Sequence, residues 1–159
     1  MNEESLKPGG EEVTRRTPAR QASTLEEMRS ILAMYKTIAV VGLSAKPARA
    51  GHRIPAYLQK QGYRIIPVNP NLTEALGEKA YASLRDVPVP VEVVEIFRRA
   101  EEVPPIVEDA IAIGAKAVWM QSGIVNEEAA ARAEAAGLTV VMDACMGDVH
   151  ALLRSSGQL

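Results

Sequence analysis

Thr37-Ile-Ala-Val-Val-Gly-Leu-Ser-Ala-Lys-Pro-Ala-Arg49 opens with an uninterrupted apolar run at residues 38–41. The run is short, mostly β-branched and closed by Gly42, which predicts a strand buried on both faces. Gly42 permits a sharp turn and a close approach of backbone to a ligand. Ser44, Lys46 and Arg49 follow at once, and a helical segment follows them. A strand, a glycine turn bearing hydroxyl and cationic groups, and a helix N-terminus form an anion-binding arrangement, because free N–H groups and the helix dipole favour phosphate there. The turn holds one glycine where a dinucleotide fingerprint has three, so it speaks for phosphate more than for NAD.

On the N-terminal side, Thr24 and Glu27 have the spacing of a capping box, and Leu25, Met28, Leu32 and Tyr35 fall on one helical face. Residues 1–22 are rich in Pro, Gly and charge and lack apolar periodicity; they read as a disordered tail before a domain at residues 23–159. On the C-terminal side a helix is expected over about residues 51–60, with Pro55 requiring a late start near His52. Further strands are expected at residues 63–68, 91–97, 117–120 and 138–142. Helices are expected over residues 103–113, after Asn126 and after Cys145, while residues 71–90 read as irregular. Continuous apolar strands alternating with helices predict an α/β chain. The expected architecture is a Rossmann-like, doubly wound, mainly parallel five-stranded sheet with helices on both faces.

Composition bounds the function. The chain has 159 residues, 47% of them hydrophobic and 24% charged, as in one soluble globular domain. A net charge of −2 argues against a nucleic-acid or anionic-membrane partner, so any phosphate site must be a local concentration of Lys and Arg. No apolar run approaches the roughly 20 residues of a membrane span. No apolar leader is apparent at the N-terminus. One cysteine, Cys145, excludes an internal disulfide, and two histidines make a metal centre improbable. The expected location is cytoplasmic.

In a doubly wound sheet the ligand sits at the carboxyl ends of the strands, where strand order reverses. The residues expected there are Gly42, Leu43, Ser44, Lys46 and Arg49, then Asn69 and Pro70, then Phe97, Arg98 and Arg99. Gln121, Ser122 and Gly123 follow the fourth strand, and Asp143, Ala144 and Cys145 the fifth. The set is cationic, with amides, hydroxyls and small residues, and has no base–nucleophile pair. It suits holding a phosphorylated molecule better than transforming one. An NAD site places an acid after the second strand to grip the ribose. Here Val68-Asn69-Pro70 stands there, and the first carboxylate is Glu74. That favours a nucleotide with a ribose phosphate, CoA or NADP.

Ile38-Ala-Val-Val-Gly-Leu-Ser with Pro47 and Arg49, then Gly62-Tyr-Arg-Ile-Ile-Pro-Val-Asn-Pro70, Phe97-Arg-Arg and Trp119-Met-Gln-Ser-Gly-Ile124, resemble the small stand-alone CoA-binding domain proteins. These are similar in fold to the CoA-binding domain of the succinyl-CoA synthetase α subunit. The resemblance spans about residues 25–150 and implies coenzyme A as the ligand. By that resemblance Gly42, Ser44, Lys46 and Arg49 would meet phosphate, Val68, Asn69 and Pro70 the adenosine end, and Phe97 and Arg98 the contact from the next strand. Pro47 belongs to the same motif, and the pantetheine arm would run toward Gln121, Gly123 and Cys145. Members often carry Ser and an aromatic where Gly51 and His52 stand, and a basic residue where Ala144 stands. The synthetase's phosphorylated histidine lies on a second domain that has no counterpart here, so ligase chemistry is not carried over.

The expectation is therefore a monomeric or homodimeric protein that binds CoA, an acyl-CoA or CoA disulfide, with no catalysis expected. Three alternatives remain open at this point: an NADP-binding oxidoreductase-like protein, a thiol redox regulator pairing Cys145 with CoA, and an adaptor that reports CoA or acyl-CoA levels to a protein partner. Plainer roles stand beside the sharp ones. Trp119 suits a core or pocket wall, His52 a helix surface, Asn69 a turn, and Cys145 a small inert hydrophobe.

Overall fold

The computed structural model describes residues 22–159. The expected tail, apart from Ala22, lies outside the described residues. The first helix, α1 (Leu25–Met34), starts with the expected capping box: the Glu27 N–H donates to Thr24 Oγ1 and the Thr24 N–H to Glu27 Oε2, each at 3.1 Å. Ile31 and Leu32 face the core, whereas Leu25 is exposed. Strand β1 (Thr37–Val41) follows, then α2 (Ala50–Lys60) and β2 (Arg64–Val68). Within the stretch expected to be irregular, a minimal antiparallel hairpin forms from β3 (Glu74–Ala75) and β4 (Glu78–Lys79). The remaining elements are β5 (Val93–Ile96), α3 (Val103–Ala112), β6 (Ala117–Met120), α4 (Glu127–Ala135), β7 (Thr139–Val141) and α5 (Met146–Ser155).

Five strands pair in the order β2-β1-β5-β6-β7, all parallel. The chain leaves β1 toward one edge, then returns past it to β5. Strand order thus reverses between β1 and β5, where a doubly wound sheet opens its ligand crevice.

Alternation along each strand divides the core in two. Ile38 and Val40 of β1 join Ile31, Leu32, Ile54, Leu58, Met146 and Leu153 on the face covered by α1, α2 and α5. Ala39 and Val41 join Val103, Val107, Ala129 and Ala133 on the face covered by α3 and α4. Helices on both faces explain why the strands read as continuous apolar runs. No helix among the described residues is long and apolar enough to cross a membrane.

Candidate functional site

The reversal point is built around Gly42. Its φ of 89° lies in the region that favours glycine. Its N–H donates to the Val68 carbonyl and the Phe97 N–H to the Val41 carbonyl, each at 2.9 Å, so three strand ends are tied together. A methyl group on Gly42 would lie 2.5 Å from the Phe97 carbonyl oxygen and 3.2 Å from Arg98 Nε. The Arg98 guanidinium therefore lies directly against the turn.

The segment after Gly42 is held by its own polar groups. Leu43 is fully buried in the core, and its carbonyl accepts from Asn69 Nδ2 at 2.9 Å. Ser44 Oγ accepts from the Lys46 N–H at 3.1 Å, and the Ser44 carbonyl meets His52 Nδ1 at 2.8 Å. Helix α2 begins at Ala50, earlier than the sequence suggested, and Pro55 lies inside it. A proline there removes the N–H that would bond the Gly51 carbonyl. The Ser44 N–H fills the gap, donating to that carbonyl at 3.1 Å. The helix tolerates its proline because the freed acceptor is used by the loop.

The first turn of α2 has no side-chain cap and no acidic residue. Lys46, Pro47, Arg49 and Arg53 are all exposed around it. Uncapped N–H groups ringed by cations attract an anion.

Two clefts flank the reversal point. The first, about 370 Å³, is lined by Arg53 and Ile54 of α2, Phe97, Gln121, Ile124 and Cys145, among others. The second, about 550 Å³, lies on the α3 face and is lined by Val41, Val68, Pro70, Arg98, Ile106 and the acids Glu101, Glu102 and Asp109, among others. Both volumes fall in the usual range for small-molecule sites, about 300–1,000 Å³. Consecutive residues Phe97 and Arg98 serve opposite clefts, as strand alternation requires.

Of the residues expected at the site, Phe97, Gln121 and Cys145 share the first cleft and Val68, Pro70 and Arg98 the second. Gly42 and Ser44 sit at the turn between them. Lys46, Pro47 and Arg49 line neither cleft; they form the exposed rim before α2. Leu43 can offer only main-chain atoms, because its side chain is core. Asn69 ties two loops, with Nδ2 on Leu43 and Oδ1 accepting from the Asn71 N–H at 2.9 Å. Gly123 is exposed and turns the chain, its N–H donating to Asp143 Oδ1 at 2.7 Å. Trp119 is fully buried and donates from Nε1 to the Ala144 carbonyl at 2.8 Å. Burial pushes the Cys145 thiol above its ordinary pKa, and the Asp148 charge adds to this, against backbone N–H donation from Asp148 and Gly147.

The family model of the CoA binding domain matches residues 36–151, nearly three-quarters of the chain. The chain belongs to the CoA-binding domain family. It is 44% identical over 128 residues to YneT of Bacillus subtilis, covering 80% of this chain and 95% of that protein. A solved structure from Pyrococcus horikoshii superposes on the CoA-binding domain with a TM-score of 0.81 at 41% identity, covering 85% of this chain and 97% of that one. The ADP-forming acetate–CoA ligase II of Archaeoglobus fulgidus is 33% identical over 107 residues, 65% of this chain. The CoA-binding domain spans only 16% of that ligase.

Arg53, Glu95 and the cleft-rim position of Glu101 and Glu102, acids expected only to offset a helix dipole, were not read from the sequence. Arg53, exposed in the first turns of α2, stands four residues beyond the N-cap residue Arg49 and lines the first cleft. Glu101, Glu102 and Asp109 give the second cleft an acidic rim. Glu95, in the centre of β5, is fully buried, and burial pushes its pKa up to about 8. The visible signal for Glu95 was an acid inside an apolar strand.

Proposed function

We propose that this chain binds coenzyme A or an acyl-CoA and does so without catalysing a reaction. The observation that carries the reading is the family match combined with the position of the Gly42 turn between two clefts. In this reading the diphosphate lies over the turn, against the uncapped N-terminus of α2, with Lys46, Arg49 and Arg98 neutralising it. The adenosine occupies the second cleft against Val68, Pro70 and Ile106. The pantetheine arm then enters the first cleft, whose Phe97, Ile54 and Ile124 offer apolar contact and whose far end holds Cys145.

Cys145 has the right place for a mixed disulfide with the CoA thiol. Its raised pKa keeps it mostly a thiol at neutral pH, and the thiolate is the nucleophile. Simple ligand binding is therefore preferred to redox regulation.

Calorimetric titration with CoA, NADP and NAD tests the reading. CoA should bind with a defined stoichiometry, and the two nicotinamide nucleotides should bind much more weakly. Heat from NADP with none from CoA overturns it.

A further inference from the structure

Among the described residues, three buried side-chain atoms have no hydrogen-bond partner: both carboxyl oxygens of Glu95, and Gln121 Nε2. They come from the same face of two adjacent strands. Glu95 pairs with Trp119 across β5 and β6. Side chains alternate along a strand, so Phe97 and Gln121 share the Glu95 face, one layer nearer the carboxyl edge. Both of them line the first cleft. Glu95 and Gln121 are diagonal neighbours across the strand pair, a separation long side chains can span.

Leaving such groups unpaired costs about 1–3 kcal/mol each. Apolar residues in the same places would carry no such cost. No charged side chain contributes to the Glu95 environment; burial alone raises its pKa. The carboxyl is therefore neutral at neutral pH and offers one O–H donor. A carboxamide turned by 180° exchanges its oxygen and nitrogen ends, and the two orientations are close in shape. The turn would put the Gln121 oxygen, an acceptor, where the unpartnered Nε2 now lies buried, and Nε2 where the oxygen now lies.

We propose that Glu95 is a positioning residue for Gln121: its neutral carboxyl donates to the Gln121 oxygen when a ligand fills the first cleft, turning Nε2 toward a carbonyl of an uncharged arm. The class of group recognised is an amide or thioester carbonyl, of the kind the pantetheine arm of an acyl-CoA carries. An anion in that position would lose its hydration against a floor with no buried cation. The inference rests on the CoA reading above and assigns one specificity element within it.

The experiment compares affinity for CoA with affinity for adenosine 3′,5′-bisphosphate, which lacks the arm, in the wild-type chain, Glu95→Leu and Glu95→Gln. Glu95→Leu should weaken CoA by about tenfold, the loss of one hydrogen bond to a neutral group. It should leave the bisphosphate within about twofold, on the same scale. It should also raise the melting temperature, because an unpaired buried acid is gone. Glu95→Gln, which keeps a donor, should retain CoA affinity. Unchanged CoA affinity in Glu95→Leu overturns the proposal, as does equal loss of both ligands or failure of Glu95→Gln to rescue. A wild-type chain that binds no CoA is a different result, and removes the functional reading itself.

Discussion

Ser44 donates its N–H to the Gly51 carbonyl across 3.1 Å, taking the place of the donor that Pro55 lacks. A helix defect and a loop restraint are one bond. Pro55→Ala restores the competing helical N–H and should loosen residues 44–49 while leaving α2 intact. Amide hydrogen exchange at Ser44 should quicken by about tenfold, as for loss of about 1.4 kcal/mol of local protection. Unaltered exchange at Ser44 would show that the loop holds itself.

Gly42 and Gly62 separate strain from crowding. Both have positive φ, 89° and 100°. A methyl group on Gly62 meets nothing within 4 Å, whereas on Gly42 it strikes the Phe97 carbonyl. Gly62→Ala should cost about 1–2 kcal/mol in urea unfolding, the penalty of the backbone conformation alone. Gly42→Ala should cost about 3 kcal/mol or more and displace Arg98. Equal losses would mean that the turn yields more readily than its packing implies.

Lys46, Arg49 and Arg98 are expected to act on phosphate in the proposed complex. Lys46→Ala with Arg49→Ala should weaken CoA by about tenfold or more, on the scale of charge-assisted bonds. Pantetheine alone, which carries no phosphate, should be unaffected. The double variant should also flatten the dependence of CoA affinity on salt, which screens exposed charges. A similar loss for pantetheine would place these cations away from the phosphates.

Glu95 and His150 give stability opposite slopes with pH. The folded Glu95 carboxyl holds its proton up to about pH 8, against an ordinary value of 4.5. Its contribution is present below the unfolded value and is lost as pH rises through about 8, with a limiting slope of about 1.4 kcal/mol per unit. His150 is nearly buried, and its Nδ1 is paired with the Tyr57 hydroxyl at 2.9 Å. Burial, then the charges of Arg154 and Lys36, hold its pKa below the usual value of 6.5. That contribution is present above 6.5 and is lost as pH falls through the folded value. Urea unfolding of Glu95→Gln should therefore lack the parent chain's loss of stability between about pH 4.5 and 8 and keep the loss on acidification that His150 contributes. An identical loss over that range in both would show that Glu95 is not its source.

The sheet was legible because its strands are short, mostly apolar runs, β1 closed by Gly42 and β2 followed by Asn69-Pro70, and because α1 carries a capping box. The start of α2 was not, since propensity penalises Pro55 without knowing that Ser44 lies across from Gly51. Residues after each strand pointed to the crevice, and Phe97, Arg98 and Gln121 line it. Spacing could not reveal that Leu43 faces the core or that Asn69 spends its amide on a neighbouring loop. Partners distant in sequence settle such roles. Glu95 was hidden for a similar reason: a single acid in a strand looks like one polar edge position until the neighbouring strands cover it.

Phe97 and Arg98 leave opposite sides of the same strand end, one to each cleft. A single inserted or deleted residue in β5 would swap them, sending the guanidinium among apolar groups and the ring among acids. The two halves of the crevice therefore share one reading frame. Point substitutions can retune either half separately, whereas a change of length in this strand alters both halves at once.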